Sequence, residues 1–182
     1  GNALHRLGRH EEAIAAYDAA LSLQPDNAGA LYGKGKALLT CGALTEAVEA
    51  FDSALAAHPG FADAFYAKGK ALFESGHYDE ASGEFQRALE IRPDCHPALF
   101  MQGRTAFELG RFDEAVRFFD HTLEISGTNA EAHYYKGRAF AAMDLHQDAI
   151  RSYDSALELD HNFTAAFSAK GVSLAELGLF RD

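Results

Sequence analysis

Residues 29–42 read GALYGKGKALLTCG, and two readings compete for the centre, Gly33-Lys34-Gly35-Lys36. A glycine-rich turn followed by lysine is one way of cradling a phosphate. The rest of the chain decides. YGKGKALLTCG at 32–42 is followed by YAKGKALFESG at 66–76, FMQGRTAFELG at 100–110, YYKGRAFAAMD at 134–144 and SAKGVSLAELG at 168–178. The period is 34 residues, without insertion or deletion. Gly1, Gly35, Gly69, Gly103, Gly137 and Gly171 form one column. Ala13, Ala47, Ala81, Ala115 and Ala149 form a second, and Tyr17, Phe51, Phe85, Phe119 and Tyr153 a third. A fourth is Ala20, Ala54, Ala88, Thr122 and Ala156. Self-similarity at a fixed period of this length marks a stacked repeat array.

One unit shows what the columns do. Phe65, Gly69 and Leu72 step by four and three, which is one face of a helix. After Ser75-Gly76 the chain turns, and Tyr78-Asp79 opens a second helix on which Ala81, Phe85 and Ala88 repeat that spacing. Pro93 stops it, as Pro25 and Pro59 do in earlier units. A helical glycine costs about 1 kcal/mol relative to alanine, so a glycine column predicts close approach of two helix backbones. The phosphate reading fails on the same placement. Gly35 and Lys36 lie inside a helix whose N–H groups are already bonded, and Ala37, not serine or threonine, follows Lys36.

These residues resemble the tetratricopeptide repeat family, over essentially the whole chain and on period, helix-turn-helix pattern and columns together. The resemblance implies an all-α solenoid of antiparallel helix pairs forming a right-handed superhelix, whose first helices line a concave groove for extended peptides. It implies one array over 1–182: a partial repeat 1–27, full repeats 28–61, 62–95, 96–129 and 130–163, and a partial repeat 164–182. His133 departs from the large apolar residue the family favours at that place. The family's lysine and asparagine clamp for the acidic tails of heat-shock chaperones is not carried. Asn2 fits one of its places, but Gly33, Asp63 and Ala67 occupy others.

Composition narrows the function. The 182 residues are 48% hydrophobic, enough for a core, and the formal net charge is −11, which argues against a general nucleic-acid binder or polybasic membrane anchor. No apolar run approaches the roughly 20 residues that span a bilayer. The two cysteines, Cys41 and Cys95, suit a reducing compartment such as the cytoplasm and read as small buried fillers. The chain starts with Gly1, which reads as a piece of a longer protein.

Against that acidic background one face is basic. Asp63, Tyr66, Lys70, Phe73 and Glu74 share a stripe facing away from the core. Over the units it holds an aromatic column, Tyr32, Tyr66, Phe100 and Tyr134, beside a cation column, Lys36, Lys70, Arg104 and Arg138. Leu39, Phe73 and Phe107 follow one turn on. The family resemblance implies that this is the groove stripe; cations supply charge-assisted hydrogen bonds and flat rings apolar contact, so its candidate ligand is an acidic or C-terminal peptide. Glu74 and Glu108 stand four residues after Lys70 and Arg104, the spacing of a helical ion pair, whereas Thr40 and Ala142 leave Lys36 and Arg138 uncommitted. Lys34, Lys68, Lys136 and Lys170 form a second column, read as stems covering apolar neighbours.

Catalysis finds no support. The histidines scatter over several registers with no metal-ligand spacing, and neither a metal nor a cofactor is expected. Two further readings are assembly and, through rings and cations, single-stranded RNA binding, the latter disfavoured by net charge. For assembly, Phe167, Leu174 and Phe180 are expected to present an apolar face that a second copy covers, because the last unit stops before a second helix.

Overall fold

Each 34-residue period becomes a helix of 13 residues and a helix of 14 residues, as in Ala62–Glu74 and Tyr78–Ile91. The computed structural model describes residues 1–179, and all regular elements among them are α-helices. They group into two units. The first, Gly1–Pro93, holds α1 (Asn2–Arg6), α2 (His10–Leu23), α3 (Ala28–Thr40), α4 (Leu44–Ala57), α5 (Ala62–Glu74) and α6 (Tyr78–Ile91). The second, from Asp94 on, holds α7 (His96–Glu108), α8 (Phe112–Ile125), α9 (Ala130–Ala142), α10 (His146–Leu159) and α11 (Thr164–Glu176). Within each unit consecutive helices pack on one another. First helices also meet their like: α3 meets α5, and α9 meets both α7 and α11.

The turns follow from the sequence. Gly8, Gly42, Gly76, Gly110 and Gly178 adopt φ between +68° and +81°, which glycine reaches without strain. The next N–H then reaches back five residues, as His77 N–H does to the Leu72 carbonyl at 2.9 Å and Arg111 N–H to Ala106 at 2.8 Å. This bond closes the first helix and aims the chain into the second. The fourth full repeat makes the same turn with Asp144 at φ 59°. An Asp144→Gly variant is therefore expected to gain about 0.5–1 kcal/mol in urea unfolding, the strain of a left-handed side chain less glycine's added entropy. Asn27 and Asn129 cap α3 and α9, each accepting a backbone N–H at 3.0 Å.

The glycine column has a different cause from backbone contact. A Cβ built on Gly35 would lie 2.6 Å from the Phe51 ring. On Gly69 and Gly103 it would lie 2.7 Å from the rings of Phe85 and Phe119, and on Gly137 2.5 Å from Tyr153. Each glycine is a slot for the aromatic of its own repeat's second helix, sixteen residues later. The rings are correspondingly buried, Phe51, Phe85 and Phe119 at 0% exposure. Gly171 has nothing within 4 Å of such a Cβ. The faces read as core are core: Phe65 and Leu72 are buried, as are Ala81, Phe85 and Ala88.

Candidate functional site

The two lysine columns have opposite fates. Those at Lys34, Lys68, Lys136 and Lys170 are ion-paired to the helix before them, not merely draped over apolar surface. Lys34 Nζ lies 2.7 Å from Asp18, Lys68 2.6 Å from Asp52, Lys136 2.6 Å from Asp120 and Lys170 2.5 Å from Asp154. Lys68 also reaches Glu84 at 2.9 Å. Burial opposes its charge, but the two carboxylates outweigh burial and raise its pKa. Each pair joins a second helix to the next first helix and contributes modestly, about 0–1 kcal/mol where exposed. The positive charge of this column is spent internally.

Three of the four cations in the other column keep their charge. Among the described residues Lys36, Lys70 and Arg138 make no ion pair, and the helical Lys70–Glu74 pair that the spacing allows does not form. In the first unit, Lys36 Nζ stands 4.9 Å from the centroid of Tyr32. That ring leans on Phe51 at 6.0 Å and Phe61 at 4.8 Å, and Tyr66 leans on Phe85 at 5.9 Å. Phe73 packs edge-on against Tyr78 at 5.2 Å. The stripe's rings are half-buried, so they brace the repeat as well as face outward.

In the second unit the stripe condenses around a residue the columns do not single out. Tyr135 stands where other repeats have Gly33, Ala67, Met101 and Ala169. Its ring stacks on Phe119 at 6.1 Å and meets Phe100 at 5.9 Å, Phe107 at 6.4 Å and Tyr134 at 5.2 Å. Both arginines lie over it: Arg104 at 4.8 Å and Arg138 at 5.3 Å. Arg138 also lies 4.6 Å from the Phe107 centroid and 5.8 Å from that of Tyr134. A guanidinium stacked on rings can still grip a carboxylate through two N–H groups along its edge.

Beyond Arg138 the surface opens into a recess of about 540 Å³ between α9, α10 and α11. Tyr153 forms part of its wall, and burial pushes this phenol up to about 12, with nearby Tyr134 adding to the shift and Arg138 opposing it. Phe167, expected in a self-association face, is 55% exposed, whereas Leu174 is half-buried. Phe180 lies outside the described residues.

Elsewhere, Cys41 is exposed and Cys95 half-buried, so neither is the buried filler that the sequence suggested. Sequence spacing also missed a histidine contact: His5 and His10 bring their Nδ1 atoms within 3.1 Å. Burial lowers the His5 pKa, with His10 and Lys36 adding to the effect. No group of three or more metal-ligating side chains forms among the described residues. No described helix is long and apolar enough to cross a membrane.

The sequence profile of the tetratricopeptide repeat matches residues 1–60 and 66–130. No curated protein matches the chain. Among solved structures, YrrB, described as a TPR protein with an unusual peptide-binding site, superposes with a TM-score of 0.83 at 30% identity, over 93% of this chain and 88% of YrrB. MamA superposes with a TM-score of 0.84 at 25% identity, over 88% of this chain and 94% of its own. TTC0263, a thermophilic TPR protein of Thermus thermophilus, shares the fold at a TM-score of 0.70 and 22% identity, over 96% of this chain and 95% of its own.

Proposed function

Because the chain belongs to the tetratricopeptide repeat family, we propose that it is a non-catalytic protein-interaction module whose first-helix face holds an extended, acidic segment of a partner. The observation that carries this reading is the contrast between the two cation columns. One is neutralised by Asp18, Asp52, Asp120 and Asp154. In the other, Lys36, Lys70 and Arg138 make no ion pair among the described residues, and Lys36 lies over Tyr32 and Arg138 over Phe107. A chain of net charge −11 that leaves cations unspent on one face has that face available for carboxylates. YrrB's peptide-binding site supports a peptide as the kind of ligand. Each unit carries its own set of these residues: Tyr32, Lys36, Tyr66, Lys70 and Phe73 in the first, and Phe100, Arg104, Phe107, Tyr134 and Arg138 in the second.

The test is fluorescence anisotropy with a labelled glutamate-rich peptide and a lysine-rich control. The acidic peptide is expected to bind with strong salt dependence, and the control not to bind. The pair Lys36→Glu and Arg138→Glu, which breaks no ion pair among the described residues, is expected to weaken the acidic peptide about 10- to 100-fold. Equal affinity of variant and parent chain would remove the stripe from consideration.

A further inference from the structure

The recess beside Arg138 exists because the last repeat lacks what fills the same place one repeat earlier. Around α7, α8 and α9 the space is occupied by the rings of Phe107 and Tyr135, with Tyr135 lying nearly parallel to Phe119 at 28°. Shifted by one period, Phe107 becomes Ala141, Tyr135 becomes Ala169 and Arg138 becomes Val172. Phe112, which packs on Phe107 at 5.4 Å, becomes His146. All four replacements line the recess, and Val172 is 61% exposed. The platform for a ring survives, with Tyr153 in place of Phe119 and Tyr134 in place of Phe100, 6.1 Å apart against 5.9 Å in the earlier repeat. So does the cation, because Arg138 stands where Arg104 covers Tyr135 at 4.8 Å.

We propose that this recess is an anchor pocket for an aromatic side chain of the bound peptide, which stacks on Tyr153 and Tyr134 beneath Arg138 as Tyr135 stacks on Phe119 and Phe100 of the preceding repeat beneath Arg104. The proposal rests on the acidic-peptide reading and sharpens it. Charge around the rim gives the peptide a polarity. Arg138 receives carboxylates on one side of the ring. Asp144, six residues beyond Arg138 and just past the end of α9, and Glu176, the last residue of α11, also line the recess and favour a neutral or basic residue there. The ligand is thus a segment with acidic residues on one side of an aromatic and neutral or basic residues on the other. A ring of this kind adds apolar burial to a contact that would otherwise be mainly electrostatic.

The whole chain is titrated with labelled peptides carrying glutamates on one side of a phenylalanine and lysines on the other, in both chain directions. The same peptides with the phenylalanine replaced by alanine serve as comparison. One direction is expected to bind about 10-fold more tightly with phenylalanine than with alanine. Ala169→Tyr, which copies Tyr135 into the pocket, is expected to abolish that preference while leaving the alanine peptide's affinity unchanged. Ala141→Phe, which restores the other ring, is the second variant, and thermal unfolding shows that either one is folded. If phenylalanine and alanine peptides bind equally to the parent chain, the pocket is overturned while the acidic-peptide reading stands. If no acidic peptide binds, both readings fail.

Discussion

Truncating Phe119 to alanine is expected to destabilise the protein by about 3–5 kcal/mol in urea unfolding, the range for a fully buried phenylalanine. The ring is 0% exposed and has Phe100 at 5.9 Å and Tyr135 at 6.1 Å. Its edge fills the slot that Gly103 leaves, where a Cβ would lie 2.7 Å from it. Gly103→Ala alone is therefore expected to cost about 1–3 kcal/mol by overpacking, against the usual benefit of replacing a helical glycine. The two changes should not add. Once the ring is gone the new methyl group enters vacated space, so the double variant should be more stable than the sum of the single costs predicts. Gly83→Ala is the control: Gly83 is exposed within α6 and has nothing within 4 Å of an added Cβ. It should stabilise by up to about 1 kcal/mol. If Gly103→Ala stabilised like Gly83→Ala, the slot would not govern the column.

The helix pairs were legible because a fixed period repeats every local signal at once. Period-3.6 spacing, positive-φ glycines and terminal prolines each recur in register, and each is decided by residues close in sequence. What the glycines touch was not legible. The ring opposite Gly103 comes from the next helix, and an empty Cβ position is equally compatible with backbone or ring. The second lysine column was misread for the same reason, since the Lys136 partner, Asp120, lies on the preceding helix. The stripe was proposed as a candidate from spacing, and Arg138 makes no ion pair among the described residues. The stripe's organising ring was not legible. Tyr135 breaks a column of small and flexible residues, and column reasoning discounts the residue that departs from its column. In a repeat protein such departures, Tyr135, Ala141, Asp144 and Val172 here, are where one unit acquires a surface its siblings lack.

Tyr135→Ala is the second large effect, and it should act on stability and recognition together. Removing a half-buried ring from contact with Phe100, Phe107, Phe119 and Tyr134 is expected to cost about 2–4 kcal/mol. The same ring lies under Arg104 at 4.8 Å and Arg138 at 5.3 Å. Without it both side chains regain rotamer freedom that binding must remove, so affinity for an acidic peptide should fall about 10-fold. Two companion variants separate the effects. Tyr135→Phe keeps the π face and should match the parent within about 1 kcal/mol in unfolding and in binding. Tyr135→Met, the residue found one repeat earlier at Met101, restores apolar volume without a π face. It should recover more of the lost stability than of the lost affinity. Peptide binding measured well below each variant's melting temperature keeps folding out of the comparison. A methionine variant that binds as tightly as the parent would show that the two guanidinium groups need only packing beneath them, and the stacked ring would lose its part in recognition.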